Sequence, residues 1–172
     1  NESNNTFTNV GTIPPNYNSQ DGYNQALIVR NNMIISGEFN GTHSTDNGNS
    51  WNTVNTGLPA TFINSLAISG TNVFAGTNLG VYLSTNNGGN WTAVNNGLTT
   101  TNTRSMAVSG TNIFAGTTDG LFLSTNNGST WVAMNNGLTS TSINSLTVSG
   151  TDILAATVEG AFISANNGGS WT

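Results

Sequence analysis

The chain has 172 residues, a formal net charge of −5 and only 5% charged side chains. With Arg30 and Arg104 as its only basic residues besides His43, it cannot build the basic face that nucleic acid or an anionic lipid surface requires. The absence of cysteine removes disulfides and thiolate metal sites. No apolar run approaches the length of a membrane span, and regular short hydrophobic runs between polar turns point to a folded chain.

Residues 1–22 read as an N-terminal strand and a variable loop. Phe7-Thr-Asn-Val10 resembles the later Trp91-Thr-Ala-Val94, and the stretch from Gly11 to Gly22 is the one segment without a repeated counterpart. From there the chain is periodic: Trp51, Trp91, Trp131 and Trp171 recur every 40 residues. Each closes the same phrase, namely Ser44-Thr-Asp-Asn-Gly-Asn-Ser-Trp51, Ser84-Thr-Asn-Asn-Gly-Gly-Asn-Trp91, Ser124-Thr-Asn-Asn-Gly-Ser-Thr-Trp131 and Ser164-Ala-Asn-Asn-Gly-Gly-Ser-Trp171. The repeats run approximately over 23–62, 63–102, 103–142 and 143–172, the last incomplete, and together with the N-terminal segment form one domain over 1–172.

Within the second unit, Ser65-Leu-Ala-Ile68 stops at the turn cluster Ser69-Gly-Thr-Asn72. Val73-Phe-Ala75, Val81-Tyr-Leu83 and Trp91-Thr-Ala-Val94 follow, separated by Gly- and Asn-rich connections. These are β-branched and aromatic runs with turns between them, four to a unit, and we label them a to d. Four strands in a unit of this size predict an all-β fold, a β-propeller of four-stranded antiparallel blades with about four blades in this chain. The blades would form a closed four-bladed ring or part of a larger ring or array. A parallel β-solenoid is the rival architecture, disfavoured because its coils usually need fewer residues and lack tight antiparallel hairpins. Asn-Gly pairs in the boxes and connections suit positions of positive φ.

The phrase Ser-x-Asp-x-Gly-x-x-Trp resembles the Asp box of the BNR, or sialidase-type, repeat family of β-propellers, over nearly the whole chain from Phe7 to Trp171. The physical reading gives the boxes a structural role. Ser44, Ser84, Ser124 and Ser164, with Asp46, Asn86, Asn126 and Asn166, accept bonds from turn N–H groups. Gly48, Gly88, Gly128 and Gly168 take a conformation other residues avoid, and Trp51, Trp91, Trp131 and Trp171 pack in the blade. Only Asp46 keeps the acid; an amide oxygen in the other three still accepts, with somewhat weaker bonds.

The resemblance implies chemistry that these residues do not supply. Sialidases use an arginine cluster on the substrate carboxylate, a tyrosine nucleophile with a glutamate, and an acidic acid/base; two arginines in different units cannot make that cluster. Propeller glycoside hydrolases need two carboxylates across the scissile bond. Of the seven acids, Asp46 belongs to a box and Asp152 to an a–b turn, while Glu2 lies near the N-terminus. Glu38, Asp119 and Glu159 fall in b–c connections and Asp21 in a d–a connection, which share one rim in a propeller. Turn acids that keep a low-charge chain soluble are the plainer reading. A ligand on that rim would be met by Tyr17, Asp21, Tyr23, Glu38, Phe39, Arg104, Asp119 and Glu159. The tyrosines would stack on a sugar beside Asn16, Asn18 and Gln20. A weak Ca²⁺ site of oxygen ligands is the one metal alternative, and no cofactor is expected. His43, beside the first box, reads as a surface substitution in a diverged strand.

The expected function is a non-catalytic extracellular or cell-surface propeller, from a bacterium, serving structure, adhesion or assembly. A carbohydrate-binding propeller is the second reading, and a fragment of a propeller hydrolase the third. Expected partners are a second copy or neighbouring repeats joined through strand completion by Phe7–Val10, and a glycan or surface protein.

Overall fold

A computed structural model describes residues 26–37, 41–53, 56–59 and 61–172. Phe7–Val10 and the expected rim residues Tyr17, Asp21, Tyr23, Glu38 and Phe39 lie outside them.

The turn signals divide the chain where the periodicity predicts. The first blade comprises β1 (Ala26–Arg30), β2 (Met33–Gly37), β3 (Thr42–Ser44) and β4 (Asn52–Thr53). The second holds β5 (Ile63–Ser69), β6 (Asn72–Thr77), β7 (Gly80–Ser84) and β8 (Thr92–Ala93). The third holds β9 (Thr103–Ser109), β10 (Asn112–Thr117), β11 (Gly120–Ser124) and β12 (Val132–Ala133), and the fourth β13 (Ile143–Ser149), β14 (Asp152–Thr157) and β15 (Ala161–Ser164). Every sheet is an antiparallel meander in chain order, as connections too short for a crossover dictate. The a–b hairpins turn through a left-handed residue: Asn31 (φ 51°), Gly70 (φ 59°), Gly110 (φ 60°) and Gly150 (φ 62°). The chain is thus a β-propeller fold, with four blades among the described residues.

One detail differs from the sequence reading, and two others add to it. Asp152, expected in the a–b turn, is the first residue of β14 and pairs with Ser149. The first unit departs from the others at its b–c connection: Ile34 pairs with Ser44 whereas Val73 pairs with Ser84, so that connection is one residue shorter. In the fourth unit a d ladder is begun by one residue, Thr172, which exchanges both backbone hydrogen bonds with Ile163 at 2.9 and 3.1 Å.

The innermost strands pack in series, β1 on β5, β5 on β9 and β9 on β13. Because side chains alternate across a strand, each middle blade offers one set to the blade before it and another to the blade after. On the second blade, Val73, Ala75 and Tyr82 join Met33 and Ile35 of the first, while Phe74 and Val81 join Met106, Ile113 and Phe122 of the third. On the third, Phe114 and Leu121 join Ile143, Leu146 and Ile153 of the fourth. Phe74, Phe114 and Phe122 are at most 1% exposed, and burying each is worth roughly 1.5–3 kcal/mol. The three cores described lie between successive blades; on the outer faces of the two end blades Leu27 is 64% and Ile163 42% exposed.

Close approach of the blades is written into one glycine per junction. A Cβ on Gly37 would stand 2.9 Å from Ile63 Cγ2, one on Gly76 2.7 Å from Thr103 Cγ2, and one on Gly116 2.5 Å from Ile143 Cγ2. These are distances at which a neighbour must move. The fourth blade has Ala156 in this place, paired with Ser145 and exposed.

Candidate functional site

The boxes are built alike whether they carry Asp or Asn. In the first, the Ser44 hydroxyl donates to Asp46 Oδ1 (2.7 Å) and accepts from the Gly48 N–H (2.7 Å), while the Ser50 N–H donates to Asp46 Oδ1 (2.9 Å). In the second, the same three bonds join Ser84, Asn86, Gly88 and Asn90 at 2.9, 2.8 and 2.8 Å. The third and fourth repeat them around Asn126 and Asn166. The amide therefore serves the turn as the carboxylate does. In the first box the Ser50 hydroxyl also donates to Asp46 Oδ2 (2.7 Å), and the carboxylate makes its bonds charge-assisted. In the third and fourth the contact runs the other way, with Asn126 Nδ2 donating to Thr130 Oγ1 (2.8 Å) and Asn166 Nδ2 to Ser170 Oγ (3.0 Å). The Ser50 hydroxyl, then the Ser50 N–H and the Ser44 hydroxyl, hold the Asp46 carboxyl down at about 2. Asn47, Asn87, Asn127 and Asn167 all stand at φ between 56° and 59°, followed by a left-handed glycine.

Three of the four box tryptophans, Trp91, Trp131 and Trp171, also tie their blades to the one before, while the Trp51 indole N–H donates to Gly48 O of its own box (3.1 Å). The backbone N–H of Trp91, Trp131 and Trp171 donates to the carbonyls of Thr56, Asn96 and Asn136 at 2.8, 2.9 and 2.9 Å. The indole N–H of Trp131 donates to Val94 O (2.7 Å) and that of Trp171 to Met134 O (2.9 Å). Gly57, Gly97 and Gly137 abut the same tryptophans, and a Cβ on any of them would fall onto the tryptophan carbonyl oxygen. On the inner strands, Met106 N–H donates to Ser65 Oγ and Leu146 N–H to Ser105 Oγ, both at 2.9 Å.

Of the expected rim residues, Arg104, Asp119 and Glu159 are described. Arg104 lies in β9 and donates to Asn144 Oδ1 (2.7 Å) and Ser142 Oγ (3.1 Å) of the fourth blade. Its counterpart one unit earlier, Asn64, reaches forward in the same way to Thr103 O (2.9 Å). Asp119 sits in the β10–β11 turn and accepts from the Thr99 hydroxyl (3.2 Å). Glu159 occupies the equivalent β14–β15 turn, where its backbone N–H donates to Thr157 Oγ1 (3.1 Å). Both carboxylates ride on one turn design, in which Thr117 and Thr157 also donate to the carbonyls of Gly120 and Gly160. Arg104 thus joins the third and fourth blades, and no hydrogen bond or ion pair links it to Asp119 or Glu159 among the described residues.

Arg30 works the same way on the opposite, box-bearing side, donating to Gly70 O (2.6 Å) and Asn87 Oδ1 (2.5 Å) of the second blade. Beneath it lies a polar depression of about 190 Å³ lined by Arg30, Asn31, Asn32, Met33, Thr45 and Asn87. His43, expected on the surface, is half-buried in β3 opposite Ile35 and Asn52. Burial lowers its pKa, and its Nδ1 is buried without a partner among the described residues. Sequence reasoning missed both arginine bridges; their one visible signal is that Arg104 replaces the Asn of the repeated position held by Asn64 and Asn144. Among the described residues, no group of three or more His, Asp or Glu side chains could hold a metal ion, and no helix is long and apolar enough to cross a membrane.

No protein-family model and no curated protein matches this chain. Solved structures share its fold. An ancestral GH74 enzyme superposes with a TM-score of 0.67 at 22% identity, over 86% of this chain and 23% of that one. The extracellular domain of a protein described as a one-component system from B. thetaiotaomicron gives a TM-score of 0.72 at 18% identity, over 86% and 21% of the two chains. The computationally designed Ika4 protein gives 0.65 at 13% identity, over 94% of this chain and 99% of that one. The chain therefore spans about a quarter of the enzyme it is similar to, and at these identities the likeness is one of fold: this is a β-propeller module.

Proposed function

We propose that the chain is a non-catalytic propeller module of the Asp-box repeat type, an extracellular or cell-surface unit for structure, adhesion or assembly. The observation that carries this reading is where its scarce charge goes. Arg30 and Arg104 each reach from one blade to the next, and Asp46 closes a turn. Both arginines, which would bind an acidic substrate group in a propeller enzyme, are here engaged in holding blades together. Four boxes with one shared hydrogen-bond pattern support the family assignment, and a low-charge surface rich in Asn, Thr and Ser supports the extracellular setting.

The test is a glycan array and a polysaccharide turnover assay on the purified chain, each repeated with Asp119→Asn, Tyr17→Ala and Tyr23→Ala. Silence throughout is the expected result. Glycan binding lost with the tyrosine variants would replace this reading with a carbohydrate-binding propeller. Turnover lost with Asp119→Asn would replace it with a hydrolase. Detection of the chain on intact cells or in the secreted fraction checks the setting.

A further inference from the structure

Asparagine followed by glycine is the sequence most open to spontaneous deamidation, because an unhindered glycine nitrogen can reach the asparagine side chain. In that reaction the glycine N–H loses its proton to solvent base and the nitrogen attacks Cγ. A C–N bond forms, and the amide nitrogen leaves as ammonia. Water then opens the succinimide at either carbonyl, giving aspartate or isoaspartate; the net change is amide plus water to carboxylate plus ammonium.

The described residues hold six such pairs in two structural classes. In the boxes, Asn47-Gly48, Asn87-Gly88, Asn127-Gly128 and Asn167-Gly168, the glycine is buried and its N–H donates to the box serine Oγ at 2.7, 2.8, 2.8 and 2.9 Å. The asparagine is fixed in the left-handed region. Attack requires rotation about its Cα–C bond, which breaks the Gly–Ser bond, and loss of a proton from a buried, bonded nitrogen. In the d–a connections, Asn96-Gly97 and Asn136-Gly137, both residues of each pair are exposed. Neither glycine N–H has an acceptor among the described residues. The equivalent place before Gly57 holds Thr56, which cannot react.

We infer that Asn96 and Asn136 are sites of spontaneous deamidation, and that the box serines protect Asn47, Asn87, Asn127 and Asn167 from the same chemistry. The two reactive positions are not neutral ones. Asn96 O and Asn136 O accept the Trp131 and Trp171 backbone N–H groups. Isoaspartate reroutes the main chain through the side chain, adds a carbon to it and displaces that carbonyl. Modification therefore loosens the junctions on either side of the third blade.

Peptide mapping by mass spectrometry after incubation of the chain in mildly alkaline buffer tests this, with isoaspartate resolved from aspartate. Asn96 and Asn136 are expected to convert roughly tenfold or more faster than the four box asparagines, the factor that one retained hydrogen bond imposes on a rate. In Ser124→Ala, Asn127 is expected to overtake Asn87. Wild-type chain in denaturant serves where that variant does not fold, and there the six rates should converge. Box asparagines that convert as fast as Asn96 in the folded chain would overturn the inference. So would box asparagines that stay slow in the unfolded one, since local sequence rather than the serine bond would then be the cause.

Discussion

The third and fourth blades share a strand pattern but differ in what covers them. The third is clasped on both faces, and Phe114 on its forward face is fully buried. Among the described residues the fourth is clasped on one. There Leu154 takes the place of Phe114, Ala161 that of Leu121, Ala156 that of Gly116 and Thr147 that of Ala107. A large buried side chain (Ile35, Phe74 or Phe114) and the glycine that admits a neighbour (Gly37, Gly76 or Gly116) go together where a following blade is seated. On the fourth blade Ala156 stands in the glycine place and is exposed.

The largest effect that sharpens the contrast is truncation of the forward-facing residue. Phe114→Ala should lower unfolding free energy by about 3–5 kcal/mol, while Leu154→Ala, half-buried, should cost about 1 kcal/mol; denaturant titration measures both. Similar losses would mean that the fourth blade's forward face is buried in solution. Next is a pair of left-handed glycines. Gly97→Ala puts a Cβ onto the Trp131 carbonyl, while Gly70→Ala meets nothing within 4 Å. Backbone strain alone predicts about 1–2 kcal/mol for Gly70→Ala, and the added clash predicts about 2–4 kcal/mol for Gly97→Ala. Equal losses would remove the tryptophan contact as the reason for that glycine.

Smaller still is the exchange at the close approach. Gly76→Ala should cost about 1–3 kcal/mol by overpacking against Thr103 and Met106. The reverse change, Ala156→Gly, should cost only about 0.5–1 kcal/mol from backbone entropy. The smallest effect concerns the one acidic box. The Asp46 carboxyl lies at about 2, against 3.8 for a free carboxyl. Since the folded value is depressed, the stability it lends is complete above the unfolded value and is lost as pH falls through the folded one. Denaturant midpoints should therefore fall between pH 3.8 and about 2 in the wild-type chain, and Asp46→Asn should flatten that part of the profile. An unchanged profile would show that the Ser50 bonds do not form in solution.

The fold was legible because its signal is repeated. The same tryptophan, the same turn and the same alternation occur four times, so errors in any one unit do not spread. The junctions were not legible, because a period tells which residues are equivalent but not which of them touch. Asn96-Gly97 reads from sequence as one more turn. Its contact with Trp131 belongs to the next unit and becomes visible only when the blades are stacked. Arg104 drew attention as a rare charge on a rim, yet three-dimensional placement gives it the bridging task of Asn64. Of the candidate rim site, Asp119 and Glu159 fall in the b–c turns as expected, while the tyrosine loop lies outside the described residues.

The tie between each tryptophan and the preceding connection has a genetic consequence. Every junction draws on the same positions of two adjacent copies, so a tandem duplication of the 40-residue unit creates a new blade and a complete new junction in one event, without compensating change elsewhere. Copies of the second or third unit are interchangeable in this respect. A copy of the fourth placed internally would carry Ala156 into a close approach, at a cost of about 1–3 kcal/mol.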